Sequence, residues 1–143
     1  MLPIFLLLSL ASVPEIKFPT ADVTFVGQKS ITLKLELART DAEQARGLMY
    51  RTHLDKNAGM VFINAAVAPG AFWMKNTLIP LDIAFFDAQG KINDILQMKP
   101  CRKDPCEVYQ PKSPYLGAIE MNWDWFKKNE IRVGDRVIYT LPK

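Results

Sequence analysis

The sequence predicts a mainly β, antiparallel domain, a compact barrel or sandwich with one or two short helices. Short apolar runs recur along the chain with turn residues between them, Ile31 to Leu37 alternates apolar and polar side chains at a period of two, and only two stretches carry helix signals. The 143 residues are 49% hydrophobic and 23% charged, enough apolar material for one core, with no internal repeat or low-complexity tract to mark a second domain.

Leu2 to Leu10 is almost wholly apolar yet far short of the about 20 residues that a membrane-spanning helix needs. It reads as the apolar core of a secretory leader. Ser9-Leu10-Ala11 places small residues at the −3 and −1 positions of a cleavage site, which gives a leader over 1–11 and a single β-rich domain over 12–143. The mature chain is then expected to be periplasmic or otherwise exported, without a transmembrane span.

Val23 to Val26, stopped by Gly27-Gln28, and Ile31 to Leu37 predict a hairpin with one buried face. Thr40-Asp41-Ala42-Glu43 is a capping box, in which a hydroxyl and a carboxylate satisfy free N–H groups at a helix start. The helix is expected to reach about Tyr50, with Gly47 letting a neighbouring backbone come close. Strands are predicted at Gly59 to Ile63, Phe72 to Lys75, Leu81 to Phe86 and Lys91 to Met98, the last two joined by the turn Asp87-Ala88-Gln89-Gly90. Tyr115 to Met121, a short helical stretch at Trp125 to Lys128, the turn Val133-Gly134-Asp135 and a strand from Arg136 to Leu141 complete the domain.

The formal charge of +3 comes from Lys and Arg scattered among acidic residues, which gives no support to a nucleic-acid partner. Cys101 and Cys106 are the only cysteines. Their spacing suits a local disulfide, which would persist in an oxidising compartment; two free thiols or a metal or redox pair are the alternatives. A metal site needs three or four ligands, and the lone His53 lies far off in sequence, so no metal or cofactor is expected. There is no Gly-x-Ser-x-Gly elbow and no phosphate-cradling glycine loop. Met49, Met60, Met74, Met98 and Met121 are spread over five segments and read as core filling.

Several motifs together carry a resemblance. Glu36-Leu37-Ala38, Arg46-Gly47-Leu48-Met49-Tyr50-Arg51, Gly59-Met60-Val61-Phe62, the run from Phe72 to Ile83 that contains Trp73-Met74-Lys75-Asn76-Thr77, and Val133-Gly134-Asp135 resemble the bacterial and archaeal family called domain of unknown function 192. Pro100-Cys101 and Cys106 match its cysteine positions. The resemblance spans about Val23 to Leu141 and implies a compact β-barrel with short helices and an exported protein; it names no reaction. Trp123-Asp124 stand where the family tends to have a small Ala-Gly.

Trp73 to Thr77 packs an indole, a thioether, an ammonium, a carboxamide and a hydroxyl into five positions. One reading is a binding surface, with Trp73 as a wall and Lys75, Asn76 and Asp82 as orienting groups for a sugar or peptide. The other makes Trp73 and Met74 core and gives Asn76 and Thr77 a turn to hold. Asp82 stands between Leu81 and Ile83 and needs a partner if buried; Arg46, Arg51 and Lys75 are available, and Arg46 is the expected one. Glu120, between Ile119 and Met121, is a second carboxyl that would sit near Asp82. The candidate ligand site is therefore Arg46, Trp73, Lys75, Asn76, Asp82 and Glu120. A non-catalytic binding or accessory module of the cell envelope, for a glycan, peptide or protein, is favoured over a small envelope hydrolase that uses Asp82 and Glu120 as paired carboxylates on a glycan.

Overall fold

Period-two alternation becomes strand pairing at the first hairpin. In the computed structural model, which describes residues 12–143, β1 (Thr20–Val26) and β2 (Ser30–Ala38) run antiparallel, with Val23 opposite Leu33 and Phe25 opposite Ile31. The leader expected over residues 1–11 lies outside the described residues. The capping box then starts α1 (Asp41–Arg46): the Glu43 N–H donates to Thr40 Oγ1 at 3.1 Å and the Thr40 N–H to Glu43 Oε1 at 3.0 Å. The helix stops at Arg46, short of the expected Tyr50, because Gly47 adopts φ +47° and turns the chain. Gly47 faces the Phe62 ring, 3.4 Å from where a Cβ would stand, with the Gln44 carbonyl of α1 next at 3.9 Å.

The remaining elements are β3 (Gly59–Ala68), β4 (Phe72–Trp73), β5 (Leu81–Phe86), β6 (Ile92–Met98), β7 (Val108–Tyr109), β8 (Tyr115–Asn122), α2 (Trp125–Lys128) and β9 (Arg136–Thr140). Seven strands form one sheet in the order β6-β5-β8-β3-β2-β1-β9, antiparallel throughout except for the parallel pair β2 and β3, whose connection carries α1. The sheet curls until its edges meet at a single bridge between Lys91 and Arg136, supported by the Val137 N–H on Gly90 O at 2.7 Å, and no ladder closes it. The strand expected from Phe72 to Lys75 shortens to two residues because Lys75-Asn76 turn, with Asn76 at φ 57°. It pairs with β7, a strand the sequence reading did not include.

Apolar side chains fill both faces of the central strands. On the inner face Val23, Phe25, Leu35, Val61, Phe86 and Ile119 pack together under α2, which contributes Trp125 and Phe126. On the outer face Met60, Phe62, Ile83, Phe85 and Tyr115 are covered by Leu48, Leu54, Phe72 and Met74 from the segments around α1 and β4. This explains why Leu81 to Phe86 is buried at every position while β2 alternates at its start. Met60, Met74 and Met98 fill the outer layer and Met121 the inner one.

Candidate functional site

Strand register decides where the two carboxyls point. In antiparallel pairs, residues directly opposite share a face. Asp82 lies opposite Gln97 and Met121 and so points toward the inner face, whereas Glu120 lies opposite Met60 and Ile83 and points outward. The expected carboxylate pair is therefore split by the sheet itself.

Asp82 is a buried residue with partners. Gln97 Nε2 donates to its Oδ1 at 3.0 Å and also to Asp124 Oδ1 at 2.8 Å. Burial holds the Asp82 carboxyl above its ordinary range, opposed by Gln97 and by the backbone amides of Asp124 and Phe126 at the start of α2. Asp124 makes no side-chain cap of its own, and the Asp82 carboxyl lies beside the first backbone N–H groups of this short helix. Asp124 also sits at φ 67°, a left-handed conformation that suits the small residue of the resembled motif better than an Asp. The expected Asp82 to Arg46 pair does not form. Arg46 ends α1 on the outer face, with its guanidinium 5.7 Å from the Tyr50 ring centroid and no ion pair among the described residues.

Glu120 lies at the floor of an outer-face cleft of about 220 Å³, lined by Arg46 and Gln44 from α1, Phe62 and Asn64 from β3, and Phe72, Trp73 and Thr77 around β4. The residue is only 5% exposed, and its carboxyl makes no hydrogen bond or ion pair among the described residues. Burial pushes it up to about 8, which favours the neutral acid far above the ordinary carboxylate range. Trp73, 51% exposed, stands at the mouth. A buried acid facing a concave site beside an open aromatic ring can donate or accept a hydrogen bond, or ionise against a cation that arrives with a ligand.

The remaining predicted residues brace the cleft and do not line it. The Tyr50 N–H donates to Asn76 O at 2.7 Å, and Asn76 Nδ2 donates to Tyr50 Oη at 3.0 Å. Both residues hold positive φ, 67° and 57°, so two left-handed corners lock the loop after α1 to the turn after β4. Lys75 Nζ lies 5.5 Å from the Trp73 ring centroid and 3.7 Å from Asp104, tying the wall of the cleft to the loop closed by the Cys101–Cys106 disulfide. Arg51 is taken by Glu36 in a two-pronged pair whose Nη1 to Oε1 distance is 2.7 Å. Gln44, Asn64 and Thr77 were missed as cleft residues. Gln44 had one signal in its place beside Arg46 on a helix with a defined start; Asn64 had none.

The family model DUF192, described as an uncharacterized ACR, matches residues 23–139. A solved protein of unknown function from Novosphingobium aromaticivorans DSM 12444 is 33% identical, with a TM-score of 0.79, covering 90% of this chain and 94% of that one. A second, from Sinorhizobium meliloti 1021 and described as a candidate transcription regulator, is 27% identical with a TM-score of 0.81, covering 88% of this chain and 98% of that one. No curated protein matches the chain.

Proposed function

The chain belongs to the DUF192 family, and from that premise we propose that it is an exported binding or accessory module of the cell envelope, taking up part of a glycan, peptide or protein in the cleft between α1 and β4. The observation that carries this reading is Glu120, a residue only 5% exposed whose carboxyl has no partner among the described residues and faces a cleft whose mouth holds an exposed indole. Burying a carboxyl unpaired is unfavourable for folding, and such groups concentrate where a ligand supplies the missing partner. The local disulfide supports maturation in an oxidising compartment. No helix among the described residues is long and apolar enough to cross a membrane. A module is favoured over a hydrolase because Asp82 and Glu120, on opposite faces of one sheet, cannot flank a single glycosidic bond.

Thermal-shift titration against envelope glycans and peptides tests the proposal, since a ligand that binds only the folded state raises its apparent stability. The expected result is saturable stabilisation, with the ligand recovered unaltered and its affinity reduced at least about tenfold by Trp73→Ala. Trp73 is half exposed, so its removal leaves the core intact. Turnover of the ligand, or binding indifferent to Trp73, overturns the reading.

A further inference from the structure

Resting on the reading of this cleft as a binding site, we infer that it takes an amino-acid head group, whose ammonium meets Glu120 and whose carboxylate meets Arg46. The geometry begins from two unmatched groups in one cavity. Glu120 is buried at the floor without a partner, and Arg46 lines the same cleft with no carboxylate within ion-pair distance among the described residues. They do not pair with each other, and burial is what raises the Glu120 carboxyl. The other titratable side chain lining the cleft is Tyr115 from β8, whose hydroxyl burial pushes up, so it stays neutral; β3 contributes Phe62 and Asn64, and the β4 segment contributes Phe72, Trp73 and Thr77.

The alternatives each leave one end unmatched. A simple amine would satisfy Glu120 while facing the Arg46 guanidinium, and a simple carboxylate would pair with Arg46 while leaving the acid buried and unanswered. A neutral sugar would leave the guanidinium without a counter-charge. A ligand carrying both charges on one carbon matches both groups, and the planar fork of Arg46 can hold its carboxylate through two parallel bonds. The cavity of about 220 Å³ is the liquid volume of about seven waters, room for a head group and short side chain but less than a drug-sized ligand requires. On binding, Glu120 ionises against the ligand ammonium, its proton leaving to bulk water while the ammonium remains charged.

The experiment is a two-dimensional NMR titration of the protein, following the Trp73 indole N–H, with alanine, N-acetylalanine (amine blocked) and alanine amide (carboxylate blocked). Alanine should bind at least about tenfold more tightly than either blocked form, and Glu120→Gln and Arg46→Ala should each weaken it by about tenfold or more while the remaining spectrum stays native. Affinity for alanine should rise by about tenfold per pH unit from pH 6 toward pH 8, as the ionised acid becomes available. Nε-acetyllysine, which carries the same centre on a long acylated tail, separates the two sources of this chemistry: tighter binding than alanine assigns a tethered amino-acid centre, and equal or weaker binding a free amino acid. Equal binding of N-acetylalanine and alanine overturns the inference. If a methyl glycoside shifts the same resonances and alanine does not, the inference fails while the cleft remains a binding site; if no ligand shifts them, both fail together.

Discussion

Glu120 and Asp82 are both carboxyls buried among apolar neighbours in central strands, and their chemistry diverges because only one has partners. Asp82 stands at an inner-face cleft with Gln97 bonded to it and the first α2 amides beside it, whereas Glu120 faces the outer cleft with no partner among the described residues. Folding raises the Glu120 carboxyl from 4.5 to about 8. Between these values the native protein keeps a proton that the unfolded chain has released, so this group lowers stability progressively as pH rises from about 4.5 and the loss levels off above about 8. Glu120→Gln removes the titration. Urea melts at pH 5 and pH 8 should show the parent protein losing on the order of 3 kcal/mol more than the variant between the two conditions. Parallel curves would mean that Glu120 is already ionised in the native cleft.

The short elements depend on what reaches them from elsewhere. α2 is four residues long and makes no side-chain cap of its own, yet it seats Trp125 and Phe126 against Phe25, with the Trp125 and Phe25 ring centroids 5.1 Å apart. A helix this short does not persist alone, so the packing of Trp125 and Phe126 holds it, with the Asp82 carboxyl beside its first N–H groups. Asp82→Ala should therefore cost about 1 kcal/mol in urea melts, since it removes the bond from Gln97 and the carboxyl beside the start of α2. Ligand affinity at the Glu120 cleft should be unchanged, because Asp82 points to the other face. A loss of cleft binding in a folded Asp82→Ala protein would show that the two faces are coupled. The corner from Tyr50 to Asn76 works in the same way: each left-handed residue is held by the other, and neither segment would keep that shape alone.

Across the whole molecule, a sheet buried on both faces separates two apolar layers; the outer one opens at the Glu120 cleft, and the inner one has a cleft of its own between Asp82, Gln97 and α2. The disulfide loop stands beside that opening, linked to the Trp73 wall through Lys75 and Asp104. Export with oxidation of Cys101 and Cys106 predicts that protein isolated from its native host begins near Ser12 and takes up no alkylating groups until reduced. N-terminal sequencing and intact mass check both. Intact Met1 in a cytoplasmic fraction would reject export.

Much of this arrangement was legible along the chain because it is local. Alternation over Ile31 to Leu37, the Thr40 to Glu43 capping box and the Asp87 to Gly90 turn each involve neighbours in sequence, so residue identity and spacing suffice to specify them. Glu120, Arg46 and Trp73, which line one cleft, could likewise be named as candidates from their types and motifs. Their grouping could not. Whether Asp82 joins Glu120 depends on the register between β5 and β8, strands separated by β6, β7 and their loops. The observed pairing sets Asp82 opposite Met121. A shift of one residue would have set it opposite Glu120, with both carboxyls on one face. That one-residue choice is made by the fit of the two apolar layers, which exists only once distant strands have met.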